Sequence, residues 1–432
     1  MNTSLTQTPI FSKLNRHLTQ LMAGNLLSGS VLLLSMTVVN GGNYLFNLIL
    51  GRWLGPAAFA DLSLIVTLFL VVTLATATVQ TVATKFSATY SAADNLPYIA
   101  GLRRWLGSWA WFTGGLLLLF FGLGAPLLQQ FFHTASAWPF VVLGLGLPVY
   151  LAQGVDRGLL QGQTRFGLLS LSYQTEMWVR LAAALVLVGL GAAVNGAVTA
   201  ITLSVVAAWV VARRVSIGLP YLAPLSRADQ RQVAAFVGPA GAALVGQILI
   251  NNSDILIVKH FFVAEQAGQY AALALIGRVV FFATWSVVAV MFPLVAQRHQ
   301  KNESHRYLLF IALGLVTVVS LGIIGATTAL PNLIVKTLFG PAYLNISPLL
   351  WLYATATMLY ALANVVVHYW LSLGKSFGSI LTVVAGVAQI GTLWYFHQTI
   401  EQVVLVQVGL MAVLLATLFV AASFAARSDN RC

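Results

Sequence analysis

Four ionisable side chains sit where an apolar helix should carry none: Glu176, Arg180, Asp254 and Arg278. A charge at the centre of a membrane-spanning helix costs about 2.5–3.5 kcal/mol on insertion scales, so each needs a partner or a task. Glu176 and Arg180 stand four residues apart, acid before base, which is the favourable order for an ion pair along one helix face. Either they neutralise each other, or Glu176 holds Arg180 on the wall of a cavity. Asp254 lies near the end of one apolar stretch and Arg278 well inside the next, so a short turn between antiparallel neighbours brings them within reach. That pair is a clamp, or Asp254 is a cation site, or Arg278 faces water as an anion site. Asp254 and Glu176 are therefore the candidates for coupling an ion, proton or sodium.

Uncharged polar residues form stripes beside these charges. Thr37, Asn40, Asn43, Tyr44 and Asn47 recur at three- and four-residue steps, and Gln247, Asn251 and Asp254 do the same further on. Such stripes either glue helices together through hydrogen bonds or line a hydrated cavity. Gly41-Gly42 and Gly238-Pro239 mark places where the two striped helices could bend, or where small residues allow close contact.

The elements that must position these residues are membrane helices. Hydrophobic residues make up 59% of the 432 positions and charged ones 7%, far from the balance of a water-soluble domain. Spans of about 20 residues, the length that crosses the hydrocarbon core, fit twelve times. The stretch from Asn43 to Leu62 returns 208 residues later as Asn251 to Tyr270, with matched polarity, and Gln161 to Gly167 resembles Leu373 to Gly378 at nearly the same offset. These matches indicate a tandem duplication, two six-helix repeats running in the same direction with a site between them. The expected organisation is a tail over 1–27, a first lobe over 28–213, a linker over 214–232, a second lobe over 233–426 and a tail over 427–432. Phe11, Leu14, Leu18 and Leu21 share one face in the first tail, as in a helix lying on a membrane surface.

Orientation follows from the basic residues, which give a net charge of +12. With both termini in the cytoplasm, most lie in inner segments or at inner helix ends, Arg157 among them. Arg52, Lys259 and Lys336 fall outside, and Arg180 and Arg278 lie within helices. The expectation is a multi-pass protein of the plasma (inner) membrane. The excess charge is topological, and no soluble basic face is left to bind nucleic acid.

Enzyme chemistry finds little support. There is no phosphate-binding loop and no HExxH, and the seven histidines are scattered. His368 and His397 read as packed or interfacial. Cys432, the single cysteine and the last residue, permits no disulfide or thiolate metal site within one chain. The protein is expected not to be an enzyme, to need no cofactor beyond a coupling ion, and to act as a monomer among membrane lipids.

The segment ILGRWLGPAAFADLSL, the pair NNSDILIVKHF and AGQYAALALIGRVV, and LFGPAYLNISPLLWLYA resemble the polysaccharide exporter branch of the multidrug, oligosaccharidyl-lipid and polysaccharide flippase superfamily. The resemblance spans nearly the whole chain. It implies an all-α protein of two six-helix lobes forming a V around a cavity lined by the first, second, seventh and eighth helices. It also implies movement of a lipid-linked oligosaccharide, on a polyprenyl pyrophosphate, from the inner to the outer leaflet, alongside other polysaccharide assembly proteins. By that similarity Arg278 meets the pyrophosphate, with Arg52 near the outer mouth as a second cation, and Asp254 matches an acidic position of the family. Asn40, Asn43, Asn47, Gln247, Asn251 and Arg180 complete the expected cavity. The neutral stripe of the first helix departs from the arginine-rich lobe of peptidoglycan-precursor relatives and favours a surface-polysaccharide repeat unit as cargo. Two other readings compete, a cation-coupled multidrug antiporter of the same fold and a membrane polysaccharide polymerase or glycosyltransferase.

Overall fold

Long apolar runs broken by glycine, proline and short polar turns give an all-helical chain. The computed structural model describes residues 9–93, 95–216 and 225–429, with most side-chain environments between 31 and 421. The helices in chain order are α1 (Pro9–Ala92), α2 (Leu96–Leu123), α3 (Ala125–Phe132), α4 (Trp138–Gly162), α5 (Phe166–Leu187) and α6 (Ala193–Ala212). After them come α7 (Arg227–Phe261), α8 (Ala264–Gly277), α9 (Val279–Gln300), α10 (Arg306–Ala329), α11 (Pro331–Leu338), α12 (Leu350–Ser372), α13 (Phe377–Tyr395) and α14 (Ile400–Asp429). Among the described residues nine segments are long and apolar enough to cross a membrane. Two of them, Leu34–Ala92 and Phe166–Val215, hold 59 and 50 residues, enough for two crossings each.

Where α1 doubles back, Gly55 takes φ 73°, a conformation open to glycine at no steric cost, and Pro56 follows with the fixed φ of a first helical residue. The Gly-Pro pair therefore makes the turn. The matching reversal in the second half is built differently, from two extended residues, Phe262 and Val263. The short helices α3 and α11 occupy equivalent places, each with proline in its first turn. They share one face of the molecule with the Gly55 and Phe262 turns.

Close contact between helices fixes the first half. Gly154, Gly158 and Gly162 lie one turn apart on α4, and a β-carbon on each would come within 2.6 Å of Thr76, 2.5 Å of the Gln80 carbonyl and 2.5 Å of the Thr84 carbonyl. This small-residue stripe lets the second limb of α1 lie against α4 backbone to backbone. Of the places expected to bend or to allow close contact, both lie in continuous helix: α1 and α7 stay helical through Gly41-Gly42 and Gly238-Pro239. Gly42 instead faces the Met177 side chain, so close approach explains it. α1 begins at Pro9, within the expected first tail, and runs on into the first span. The side chains of Phe11, Leu14, Leu18 and Leu21, the middle of the linker and Cys432 lie outside the described residues.

Candidate functional site

The first half gathers three charges. Arg180 on α5 reaches Glu176 one turn away and donates through Nη1 to Asn43 Oδ1 of α1 at 3.1 Å. Glu176 is also 2.8 Å from Arg157 Nη2 on α4. Arg157 lies over the Tyr173 ring at 4.0 Å and donates to the Ser172 hydroxyl and carbonyl at 3.0 and 3.1 Å. Two guanidinium groups thus share one carboxylate, which leaves a surplus positive charge in a mostly apolar bundle. The ion pair expected of Glu176 and Arg180 forms, and Asn43 of the striped helix joins it.

Sequence reasoning missed Arg157. It placed the residue at an inner helix end, whereas Arg157 is 4% exposed. Only the three-dimensional approach of α4 to α5 pairs it with Glu176, and their separation of 19 positions carries no periodic signal.

The second half is neutral at the matching depth. Asp254, 1% exposed, accepts from Tyr270 at 2.8 Å, Tyr353 at 2.9 Å and Arg278 Nη2 at 3.0 Å. Gln407 donates to the Tyr270 hydroxyl at 2.7 Å. Arg278 occupies the break between α8 and α9, so its long side chain leaves the helix at a kink and turns toward α7. Beside it lies a cavity of about 30 Å³ whose lining includes Asn251, Thr357, Tyr360 and Gln389, room for about one water. The carboxylate that stood as a cation candidate is met by three donors, and the arginine expected to meet an anion is bound to that carboxylate.

The polar stripes divide. Asn47 donates to the Asn43 carbonyl at 2.9 Å and Asn251 to the Gln247 carbonyl at 2.8 Å, the same one-turn back-bond in both halves. Asn40 is exposed and Gln247 partly so, and neither joins a charge cluster. Arg52 lies away from both clusters, at the face carrying α3 and α11.

At that face the halves meet. Arg52 Nη1 donates to the Thr337 carbonyl at the end of α11 at 3.0 Å. Lys259, 2% exposed, lies 2.8 Å from Asp61 and 3.3 Å from the His133 carbonyl. His260 Nδ1 donates to the Phe131 carbonyl at 2.6 Å, and Tyr343 donates to the Gly51 carbonyl at 2.7 Å. Phe59, Phe339 and Tyr343 fill the space between. Lys259, counted among the outer basic residues, is one of the most buried side chains among the described residues. Asp61 went unnoticed because it stands close to a helix end, where a carboxylate raises no suspicion.

These features define a polytopic helical membrane protein with two inward-looking charge clusters and a closed face between its halves. The fold is that of the MOP superfamily transporters. Structures similar to it include a multidrug resistance MATE family transporter of that superfamily in an inward-facing conformation (TM-score 0.78, 14% identity, 90% of this chain and 95% of that one). A second is the lipid II flippase MurJ in an inward closed conformation (TM-score 0.74, 11% identity, 91% and 87%). An outward-facing MATE transporter gives a TM-score of 0.60 at 14% identity, covering 93% and 95%. No curated protein sequence matches the chain. Residues 108–348 match the polysaccharide biosynthesis protein family, and the chain belongs to that family.

Proposed function

We propose that this protein is a flippase which carries a polyprenyl-diphosphate-linked oligosaccharide from the cytoplasmic to the outer leaflet of the plasma membrane. The observation that carries the reading is the surplus cation of the Arg157–Glu176–Arg180 cluster, buried in a family of polysaccharide biosynthesis proteins. An unneutralised charge in a low-dielectric bundle is costly by itself and favours an anionic cargo. Arg180, tied to Asn43 of the striped first helix, takes the diphosphate in preference to Arg278, whose charge Asp254 already neutralises. The amides of α1 and α7 serve the sugar hydroxyls, and the prenyl chain stays in lipid.

Movement is by alternating access of two six-helix lobes arranged as a V of twelve spans, both termini in the cytoplasm, with the α3 and α11 face outward. Closure at that face and the higher similarity to inward-facing relatives support an inward-facing state. Proton or sodium coupling through Glu176 fits the cluster, because protonating it would raise the local positive charge and tighten the hold on an anion. The antiporter reading rests on fold similarity alone, and surplus positive charge disfavours cationic drugs.

The test is the leaflet distribution of lipid-linked oligosaccharide in cells depleted of the protein and complemented with wild type or Arg180→Gln. Cytoplasmic-leaflet build-up cured by wild type and not by the well-expressed variant is the expected result. An unchanged distribution on depletion would sink the flippase reading.

A further inference from the structure

The two halves close against each other through crossed contacts that obey the internal repeat. Arg52 and His260 occupy matched positions, 208 residues apart. Arg52, at the end of the first limb of α1, donates to the Thr337 carbonyl at the C-terminus of α11 in the second half. His260, near the end of α7, donates to the Phe131 carbonyl at the C-terminus of α3 in the first half. Each half thus extends a nitrogen donor to the short helix of the other, at the end where unpaired carbonyls concentrate negative potential. Asp61 and Gln269 are matched in the same way. Each holds the segment after its own short helix, Asp61 accepting from Ala135 N at 3.0 Å and Gln269 donating to the Ala342 carbonyl at 3.2 Å.

The repeat then breaks its own symmetry. Lys259 corresponds to Gly51 and Asp61 to Gln269. On one side, therefore, a buried ammonium and carboxylate bridge the halves at 2.8 Å. On the other side no charge is present at either position, and the Tyr343 hydroxyl reaches the bare Gly51 carbonyl.

We propose that this face is a crossed clamp with unequal arms, in which the Asp61–Lys259 pair is the lock and the Arg52–α11 contact a weak latch that releases first. The proposal rests on the alternating-access part of the function above and is independent of the cargo. The asymmetry follows from burial. Lys259 and Asp61 are out of water, so neither can part without being solvated or left unpaired, and removing one partner of such a pair shifts an equilibrium by about a hundredfold or more. Arg52 is exposed, and a cation at a helix C-terminus in water shifts one by about twofold to fivefold. Opening therefore begins at the α11 side and completes only when water or a new partner reaches Lys259.

The experiment places spin labels at Gln130 and Asn332, exposed positions on α3 and α11, in a Cys432→Ser background. Their separation is measured by double electron–electron resonance on the full chain in lipid nanodiscs. Wild type should give one short distance. Asp61→Asn and Lys259→Met should each move the main population to a longer one, and Arg52→Gln should add only a minor long component. If Lys259→Met does not fold, Lys259→Gln and the isosteric Asp61→Asn carry the same comparison. Unchanged distances in the well-folded Asp61 and Lys259 variants would overturn the lock. A shift with Arg52→Gln as large as with Lys259→Met would overturn the inequality. None of these readings needs cargo, so a normal leaflet assay beside an unlocked face, or the reverse, separates the two proposals.

Discussion

The Arg157–Glu176–Arg180 cluster of the first half and the Asp254–Arg278 cluster of the second solve one physical problem in opposite ways. Both put charge inside a bundle where its solvation is poor. In the second half the carboxylate collects one guanidinium and two tyrosine hydroxyls, so the charges cancel and the acceptor is saturated. In the first half one carboxylate serves two guanidinium groups, and the remainder is a standing positive charge. A saturated pair is a structural joint, whereas an unsaturated one is an offer to a ligand. In the proposed flippase the two halves divide the labour, with rigidity on one side and recognition on the other.

Removing the shared carboxylate strains this comparison most. Glu176→Ala leaves two buried guanidinium groups facing each other, and a loss of about 3–5 kcal/mol is expected, visible as a lower thermal unfolding midpoint in detergent. Next comes Asp254→Asn, where an amide oxygen still accepts from the tyrosines, so a smaller loss of about 2–3 kcal/mol is expected in the same assay. If Asp254→Asn proved the more damaging of the two, the assignment of roles would be reversed.

The two arginines sharpen the contrast. Arg278→Gln should cost about 2 kcal/mol of stability and leave the binding of a short-chain prenyl diphosphate unchanged. Arg180→Gln should do the opposite: Arg157 still neutralises Glu176, so stability holds, while diphosphate affinity falls about tenfold, or 1.4 kcal/mol. Isothermal titration and thermal unfolding of both variants decide the matter. Asn43→Ala is the finest probe. It frees Arg180 from its aim and should weaken binding about threefold, since it removes one aligning hydrogen bond and leaves the guanidinium charge in place.

Much of this was legible in the sequence where the signal is local. Glu176 and Arg180 announce themselves by helical spacing, and Asp254 and Arg278 by the turn that joins their helices. The Gly55-Pro56 reversal was readable from two residues. Arg157, Asp61 and the tyrosines around Asp254 were not, because their partners lie on other helices with no spacing rule to link them, and a residue near a span end looks the same whether it faces water or a neighbour. Tyr270 and Tyr353 were hidden for a further reason: in an apolar helix a tyrosine reads as bulk, and only geometry reveals the hydroxyl. The burial of Lys259 was hidden as well, since the rule that counts basic residues does not distinguish a buried ammonium from a solvated one.

Gly268 carries a consequence of its own. A β-carbon there would stand 1.7 Å from the Pro56 carbonyl of the opposite half, and since that atom is backbone, a methyl group could be admitted only by separating the halves. Alanine at this position would act as a wedge that leaves every charge untouched. It offers a way to hold the molecule in its other shape for direct observation, and it means that a single hydrogen atom in place of a methyl group is what permits the closed shape to exist.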